Sequence, residues 1–99
     1  MNPFIVFDVT PASQLSQVIS ELRKMEYHLA WMSNGIRYDL PSNCVWKPNV
    51  ELEAAYKDIQ GVITSLNSAL PEGAKIALGK CIVLSNTPWI GKSSDVTPI

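Results

Sequence analysis

Residues 4–11, Phe4-Ile5-Val6-Phe7-Asp8-Val9-Thr10-Pro11, decide how this chain can begin to fold. β-Branched and aromatic residues favour a strand from Phe4 to Val9, and Thr10-Pro11 ends it. Thr10 can cap a following helix that has Pro11 in its first turn, where the missing N–H costs nothing. An inner strand that passes directly into a helix is therefore predicted.

The segments after residue 11 continue this alternation. Apolar residues at spacings of three and four predict a first helix from Leu15 to Met25. Asn34-Gly35 is a typical tight-turn dipeptide, so a hairpin is predicted around it. Pro41-Ser42-Asn43 then interrupts the return strand before Cys44-Val45-Trp46, which fits one long interrupted strand or two short ones.

A second helix has the most regular pattern in the sequence. Its apolar stripe runs from Leu52 to Leu70, with Asn49 as its expected cap. A glycine inside a helix lowers stability by roughly 1 kcal/mol relative to alanine. Gly61 is therefore expected at a point where the second helix packs closely against the sheet or the first helix. A last strand follows from Lys75 to Leu84, and Gly79 indicates a bulge in it.

This order of elements predicts an α+β fold of the ferredoxin-like type, β-α-β-β-α-β, with an antiparallel sheet and two helices on one face. The domain is expected to cover residues 1–85, and residues 86–99 are expected to form a C-terminal tail. Trp89 and Ile90 lie in that tail, beyond the last strand. We expect residues 86–91 to pair with the sheet edge of a partner subunit in a homodimer.

Composition narrows the classes of function. Hydrophobic residues make up 46% and charged residues 17% of the chain, so part of an apolar surface is expected to be covered by a partner. The net charge of -1 excludes a broad basic field, and any nucleic-acid contact must be local. No apolar run approaches the roughly 20 residues of a membrane helix, and no signal peptide is evident, which predicts a cytoplasmic protein without membrane contact.

Metal chemistry has few candidate ligands. Cys44 and Cys81 form no CxxC pair, and they are predicted to be buried free thiols. Asp8 ends the first strand, where a carboxylate could hold a divalent cation such as magnesium or position a water. The alternative for Asp8 is a cap on the following turn or a surface ion pair. Because one carboxylate makes a weak magnesium site, a symmetry mate would have to supply a second, and no resident cofactor is predicted.

Acid–base and RNA-binding chemistry each have their own candidates. His28 is the only histidine, and the sequence places neither Glu26 nor Asp58 beside it as an orienting acid, so a catalytic role is not predicted. Arginine suits bidentate phosphate contacts and a developing phosphorane charge. Side chains that could hold RNA bases and phosphates, or equally form one wall of a core or interface, cluster on the central strands: Arg37, Tyr38, Trp46 and Lys47.

Four short motifs resemble the GhoS family of type V antitoxin endoribonucleases. They are Phe7-Asp8 at the end of the first strand, Leu22-Arg23 in the first helix, Gly35-Ile36-Arg37-Tyr38-Asp39-Leu40-Pro41, and Trp89-Ile90-Gly91. The resemblance implies a ferredoxin-like fold related to small CRISPR-associated nucleases and an activity that cleaves a toxin message. It further implies Asp8 and Arg23 as catalytic residues, with Tyr38, Leu40 and Pro41 as support for the fold.

Two functions therefore remain open from the sequence. The first is a small RNA-directed antitoxin, an endoribonuclease with Asp8 and Arg23 or Arg37 at its site. The second is a non-enzymatic module, such as a phage or accessory regulator, that binds a partner protein through its sheet edge and the region of Trp89. A positive groove around Arg23 and Arg37 would favour the first.

Overall fold

The computed structural model describes residues 1–93, and these form an α+β fold with two α-helices and antiparallel strands. The elements in chain order are β1 (Pro3–Thr10), α1 (Leu15–Lys24), β2 (Ala30–Ser33), β3 (Ile36–Asp39), β4 (Cys44–Trp46), α2 (Leu52–Asn67) and β5 (Ala77–Ser85). Short 3-10 turns at Ala12–Gln14 and Glu72–Ala74 precede α1 and β5. The predicted fold class is confirmed at this level.

The strands form two antiparallel groups. β1 is the central strand of a three-stranded sheet with the order β4-β1-β5, and β2 pairs with β3. Asn34 and Gly35 join β2 to β3 with φ values of 52° and 77°, as a type I′ hairpin requires, so the hairpin is confirmed. The interrupted return strand is two short strands, because β3 and β4 belong to different sheets.

A single backbone bridge joins the segment before β2 to the free edge of β4. The amide of His28 donates to the carbonyl of Trp46 at 2.7 Å, and the amide of Trp46 donates to the carbonyl of His28 at 3.1 Å. β4 therefore has β1 on one side and His28 on the other. This bridge positions the candidate site described below.

The core lies on one face of β1. Ile5, Phe7 and Val9 are buried, whereas Val6 and Asp8, which alternate with them, are exposed. The buried strand residues join one cluster with side chains of both helices, namely Val18, Leu22, Ala55, Ile59, Val62 and Ile63. Burial of each large aliphatic side chain contributes about 1.5–3 kcal/mol, so this cluster is the main source of stability.

Three local predictions are wrong. Thr10 does not cap α1, because it remains paired in β1 and α1 begins only at Leu15. Asn49 does not cap α2, because it adopts a φ of 60° rather than the extended conformation of a cap, and α2 begins at Leu52. Gly61 is exposed, and a Cβ added to it would meet no atom within 4 Å, so it does not mark close packing.

None of the helices within residues 1–93 has the length and apolar character that crossing a membrane requires.

Candidate functional site

A surface depression of about 420 Å³ opens where α1 ends, beside the start of β1. Its wall contains Arg23, Glu26, Tyr27, His28, Lys47 and Pro48, and we call it the basic pocket. The backbone of Lys47 reaches the start of β1, because its amide donates to the carbonyl of Pro3 at 3.3 Å. Three side chains that can carry positive charge thus line one pocket: Arg23 of α1, His28 of the bridge to β4, and Lys47 directly after β4.

The turn after α1 determines which side chains enter the basic pocket. The amide of Glu26 donates to the carbonyl of Arg23 at 2.9 Å, and that of Tyr27 donates to the carbonyl of Leu22 at 3.1 Å. With Glu26 at a φ of 70°, this is a Schellman motif whose left-handed position is filled by glutamate. Tyr27 is buried, whereas its neighbours Glu26 and His28 are exposed, so both flanking side chains are available to the pocket.

Tyr27 forms the floor of the basic pocket and remains a neutral phenol. Burial raises its pKa above the ordinary value of 10.0, and the hydrogen bond to Asp58 and the charge of Asp58 raise it further. Its hydroxyl donates to Asp58 Oδ2 at 2.8 Å. The ammonium of Lys47 lies 5.5 Å from the centre of the Tyr27 ring, within the range of a cation–π contact.

The cations of the basic pocket have no anionic partner within residues 1–93. Arg23, His28 and Lys47 make no ion pair and no side-chain hydrogen bond there. By contrast, each cation of a second group pairs with a carboxylate: Lys24 with Glu21, Arg37 with Asp39 and Lys57 with Glu53. The pocket therefore contains two cations, Arg23 and Lys47, that form no ion pair with a described carboxylate, together with the single carboxylate of Glu26.

A row of aromatic rings starts at the basic pocket. The centre of the His28 ring lies 5.3 Å from that of Trp46, and Trp46 lies 4.4 Å from Trp31. Trp31 lies 5.8 Å from Trp89, and Trp89 lies 5.0 Å from Tyr38. We call these five residues the aromatic row. None of them is fully buried, so ring surface remains accessible along the row.

Three further contacts tie the aromatic row to the rest of the fold. The indole nitrogen of Trp46 donates to the carbonyl of Ala30 at 2.6 Å, which ties β4 to the hairpin. Phe4 of β1 packs against Trp31 and Trp46, at 5.6 Å and 5.8 Å between ring centres. The row is thus held by the central strand of the sheet and by the hairpin together.

The C-terminal segment completes the far end of the aromatic row. Trp89 packs on Trp31 and Tyr38 of its own chain and is 42% exposed, so the chain covers this side chain in part. Ile90 is 98% exposed. An apolar groove of about 440 Å³ lies between this segment and the sheet. Residues 94–99 of the predicted tail lie outside the described residues.

Asp8 has a structural partner in β5. Its Oδ1 accepts a hydrogen bond of 2.7 Å from the amide of Lys80. The register between β1 and β5 shifts at this point, which confirms the predicted bulge at Gly79. A Cβ at position 79 would overlap the Asp8 carboxylate, so glycine is required for this close approach. Asp8 thus caps the bulge rather than the turn that follows β1.

One chain does not bring Asp8 and Arg23 together. Arg23 lies in the basic pocket near the start of β1, whereas Asp8 is five residues further along that strand, about 16 Å at the usual strand rise. Arg37 is also separate, since it is exposed on the hairpin and its Nε donates to Asp39 at 2.8 Å. The structure instead joins Arg23, Trp46 and Lys47, with Tyr38 at the far end of the aromatic row.

The sequence leaves open whether Glu26 lies near His28, and neither residue is predicted from it as a site residue. In the fold both side chains line the basic pocket. The sequence signal that both side chains are exposed is their position on either side of Tyr27. When the Tyr27 side chain is buried, its two neighbours face outward. The left-handed turn at Glu26, which brings them to the pocket, has no signature in the sequence.

The described residues offer little for a metal ion. Within residues 1–93 no three His, Cys, Asp or Glu side chains cluster. A magnesium ion at Asp8 would need further carboxylate or phosphate oxygens, because among residues 1–93 no group of three possible ligands forms there. Both cysteines are free, and burial raises the pKa of the Cys44 thiol to about 11 and also raises that of Cys81.

Comparison of the chain with protein-family models, with curated proteins and with solved structures finds no match.

Proposed function

We propose that this chain is a small RNA-directed protein that binds single-stranded RNA across the basic pocket and the aromatic row. One observation carries the proposal: His28 lines the pocket and its ring also lies 5.3 Å from Trp46, so unpaired cations and accessible rings form one continuous surface. Single-stranded nucleic acid is bound by this combination of positive charge along the backbone and aromatic rings under the bases.

The charge of the whole chain is consistent with this local surface. The net charge is -1, so phosphate contacts must come from a few cations free of carboxylate partners. Arg23 and Lys47 are such cations among the described residues. Stacking of a base on an aromatic side chain contributes about 1–3 kcal/mol, so the row supplies affinity that does not depend on charge.

In this proposal the fold is ferredoxin-like. When the bridge at His28 is counted as a short outer strand, the sheet runs from His28 through β4 and β1 to β5, with every neighbour antiparallel. The β2–β3 hairpin is then an addition before β4, and both helices cover the face of β1 that carries Ile5, Phe7 and Val9. The single core cluster shared by β1 and the two helices supports this arrangement.

The resemblance to the GhoS family extends the proposal to an antitoxin that acts in the cytoplasm on a toxin message and cleaves it. Arg23, which that resemblance places at the site, lies in the basic pocket. Asp8 would contribute to the same site only from a second copy, with or without magnesium, because its own chain places it far from Arg23.

RNA affinity tests the binding proposal directly. Fluorescence anisotropy of a labelled single-stranded RNA should show binding by the unmodified protein that weakens as salt rises. Arg23→Ala and Lys47→Ala should each weaken binding about tenfold, the effect of losing one charged hydrogen bond of about 1.4 kcal/mol. Each should also lower the salt slope by about 0.7, the value per phosphate contact on single strands.

Lys24→Ala and Lys57→Ala are the matched controls, because each removes one positive charge whose partner is a carboxylate of its own helix. Both should leave affinity within about twofold, as expected for exposed ion pairs. If all four variants weaken binding equally, the effect is one of net charge and the basic pocket is not the site. Absence of RNA binding by the unmodified protein would refute the proposal.

A second function, binding to a protein partner, is favoured by a neighbouring surface that shares Trp89 with the aromatic row. The face of the sheet opposite the core exposes Ile82 (61%) and Leu84 (45%), which lie beside Val6 and Phe4, and Ile90 is nearly fully exposed. Exposed apolar clusters of this kind mark contact surfaces. The partner proposed is a second copy of this chain, which would pair through β5 and residues 86–91 about a two-fold axis.

Sedimentation tests the homodimer. The unmodified protein should sediment as a dimer at tens of micromolar, and Ile82→Asp should convert it to a monomer. Met32→Asp is the control, because Met32 is similarly exposed but lies in β2, which does not pair with β5. A monomer at that concentration without any substitution would rule out the homodimer and leave a different protein partner as the remaining form of this function.

A further inference from the structure

We propose that Glu26 and His28 form an acid–base pair that cleaves RNA held in the basic pocket. This inference rests on the RNA-binding function proposed above and goes beyond it, because it assigns the chemistry to residues other than Asp8. The observation behind it is that one depression contains a carboxylate, an imidazole, a guanidinium and an ammonium: Glu26, His28, Arg23 and Lys47.

Each of these groups has a distinct task in cleavage of a phosphodiester by its own 2′-hydroxyl. A base must take the 2′ proton, an acid must protonate the departing 5′ oxygen, and cations must stabilise the charge that develops on the phosphorus oxygens. A carboxylate serves as the base, and an imidazolium serves as the acid. Arg23 and Lys47 are the cations, and no carboxylate within residues 1–93 pairs with either of them.

The step balances without any further reactant. Glu26 accepts the 2′ proton while the 2′ oxygen bonds to phosphorus, and the bond from phosphorus to the 5′ oxygen breaks. His28 gives its proton to that oxygen. The products are one fragment ending in a 2′,3′-cyclic phosphate and one beginning with a 5′-hydroxyl. Transfer of a proton from Glu26 to His28, directly or through water, restores the starting state.

The backbone holds both members of the pair in place. His28 is fixed by its two backbone hydrogen bonds to Trp46, at 2.7 Å and 3.1 Å, so its ring stands at the end of the aromatic row where a stacked base would bring a phosphate. Glu26 occupies the left-handed position of the Schellman motif, where glycine is the usual residue. A glutamate in a conformation that favours glycine is accounted for if its carboxylate has a task in the pocket.

The remaining groups of the depression fit the same step. Arg23 and Lys47 line it together with Glu26 and His28, from α1 and from the end of β4, so both cations are available to the phosphorus oxygens. Burial and the hydrogen bond to Asp58 raise the pKa of the Tyr27 phenol, so it stays neutral and adds no competing charge.

The experiment uses the full chain and a 5′-labelled single-stranded RNA, in EDTA, with binding and cleavage measured on the same preparations. Mass spectrometry should find 2′,3′-cyclic phosphate and 5′-hydroxyl ends. His28→Phe, which keeps an aromatic ring in the row but has no proton to donate, and Glu26→Gln should each slow cleavage by about a hundredfold or more, the usual contribution of a general acid or base, while RNA affinity changes by less than about threefold. An RNA with 2′-deoxyribose throughout should resist cleavage.

Glu72→Gln, purified in parallel, is the matched control for loss of a carboxylate. It should cleave like the unmodified protein, because Glu72 is exposed in the turn before β5 and does not line the pocket. Cleavage that persists in His28→Phe, that needs magnesium, or that is lost in Asp8→Asn overturns the inference. RNA binding without any cleavage also overturns it and leaves the proposed binding function standing, whereas absence of binding refutes both.

Discussion

His28 and Trp46 hold each other through two backbone hydrogen bonds, and their rings lie 5.3 Å apart. This pair connects two surfaces that would otherwise be separate. On one side lies the basic pocket with Arg23 and Lys47, and on the other lie Trp31, Trp89 and Tyr38. An RNA strand that stacks on the rings would therefore bring a phosphate to the cations, which is why binding and cleavage are proposed at the same place.

Asp8 and Gly79 should be energetically coupled. Asp8→Ala removes the 2.7 Å hydrogen bond to the Lys80 amide and should lower the free energy of unfolding by about 1 kcal/mol. Gly79→Ala should have a similar cost, because the new Cβ displaces the Asp8 carboxylate from that amide. The double variant should lose little more than either single variant, since the same contact is lost once. Urea unfolding measures all three, and strictly additive losses would contradict the coupling.

Gly61→Ala should stabilise the protein. Gly61 is exposed inside α2, and a Cβ there meets no atom within 4 Å, so alanine gains helix propensity without a clash. The expected gain is about 1 kcal/mol in the free energy of unfolding. Gly35→Ala is the contrasting control: it should destabilise, because Gly35 has a φ of 77° in the hairpin turn. A loss of stability in Gly61→Ala would show that the helix packs there against something else.

Gly61 and Gly79 illustrate how far the sequence predicts the fold. Periodicity predicted both helices, and composition with turn residues predicted the strands, because burial on one face leaves a visible pattern in β1 and α2. A glycine within a helix, however, has the same sequence signature whether it permits close packing or simply lies at the surface. Gly79 was predicted as a bulge, but its partner Asp8 depends on the register between β1 and β5, which no local pattern specifies.

The site was less predictable than the fold. Tyr38, Trp46 and Lys47 were identified as RNA-binding candidates from residue type, and Tyr38 and Trp46 belong to one aromatic row in the structure. Their connection runs through Trp31 and Trp89, which come from β2 and from beyond β5. The sequence cannot place Glu26 and His28 beside Lys47, because their common position depends on a left-handed turn followed by a bridge to β4. Such long-range contacts follow from the assembled sheet rather than from spacing.

Glu26→Gly should separate stability from activity. Glycine adopts a φ of 70° without strain, so the free energy of unfolding should rise by about 1 kcal/mol. The same change removes the carboxylate of the acid–base pair, so RNA cleavage should fall while binding persists. Thermal unfolding and a cleavage assay on one preparation check both effects. Full cleavage by a stabilised Glu26→Gly protein would show that this carboxylate has no catalytic task.

Tyr27 should make the fold sensitive to alkaline pH. Its raised pKa means that the folded chain keeps a proton that the unfolded chain loses. The stability that the protonated phenol contributes is therefore complete below about pH 10 and is lost as pH rises further. Tyr27→Phe should be about 1 kcal/mol less stable at pH 7, through loss of the hydrogen bond to Asp58, but should show a smaller decline between pH 10 and pH 11. Tyr56→Phe, at an exposed tyrosine, should change neither quantity.

Photo-crosslinking with 4-thiouridine RNA, followed by peptide mapping, locates a bound strand on the protein surface and so tests RNA binding along the aromatic row. We expect crosslinks in peptides that contain His28, Trp46 and Trp89, and their loss when Arg23 and Lys47 are both changed to alanine. Tyr56 is an internal control, since it is 41% exposed on α2, outside the row. Crosslinks at Tyr56 in preference to the row, or crosslinks unaffected by the double substitution, would show that RNA does not bind along the row.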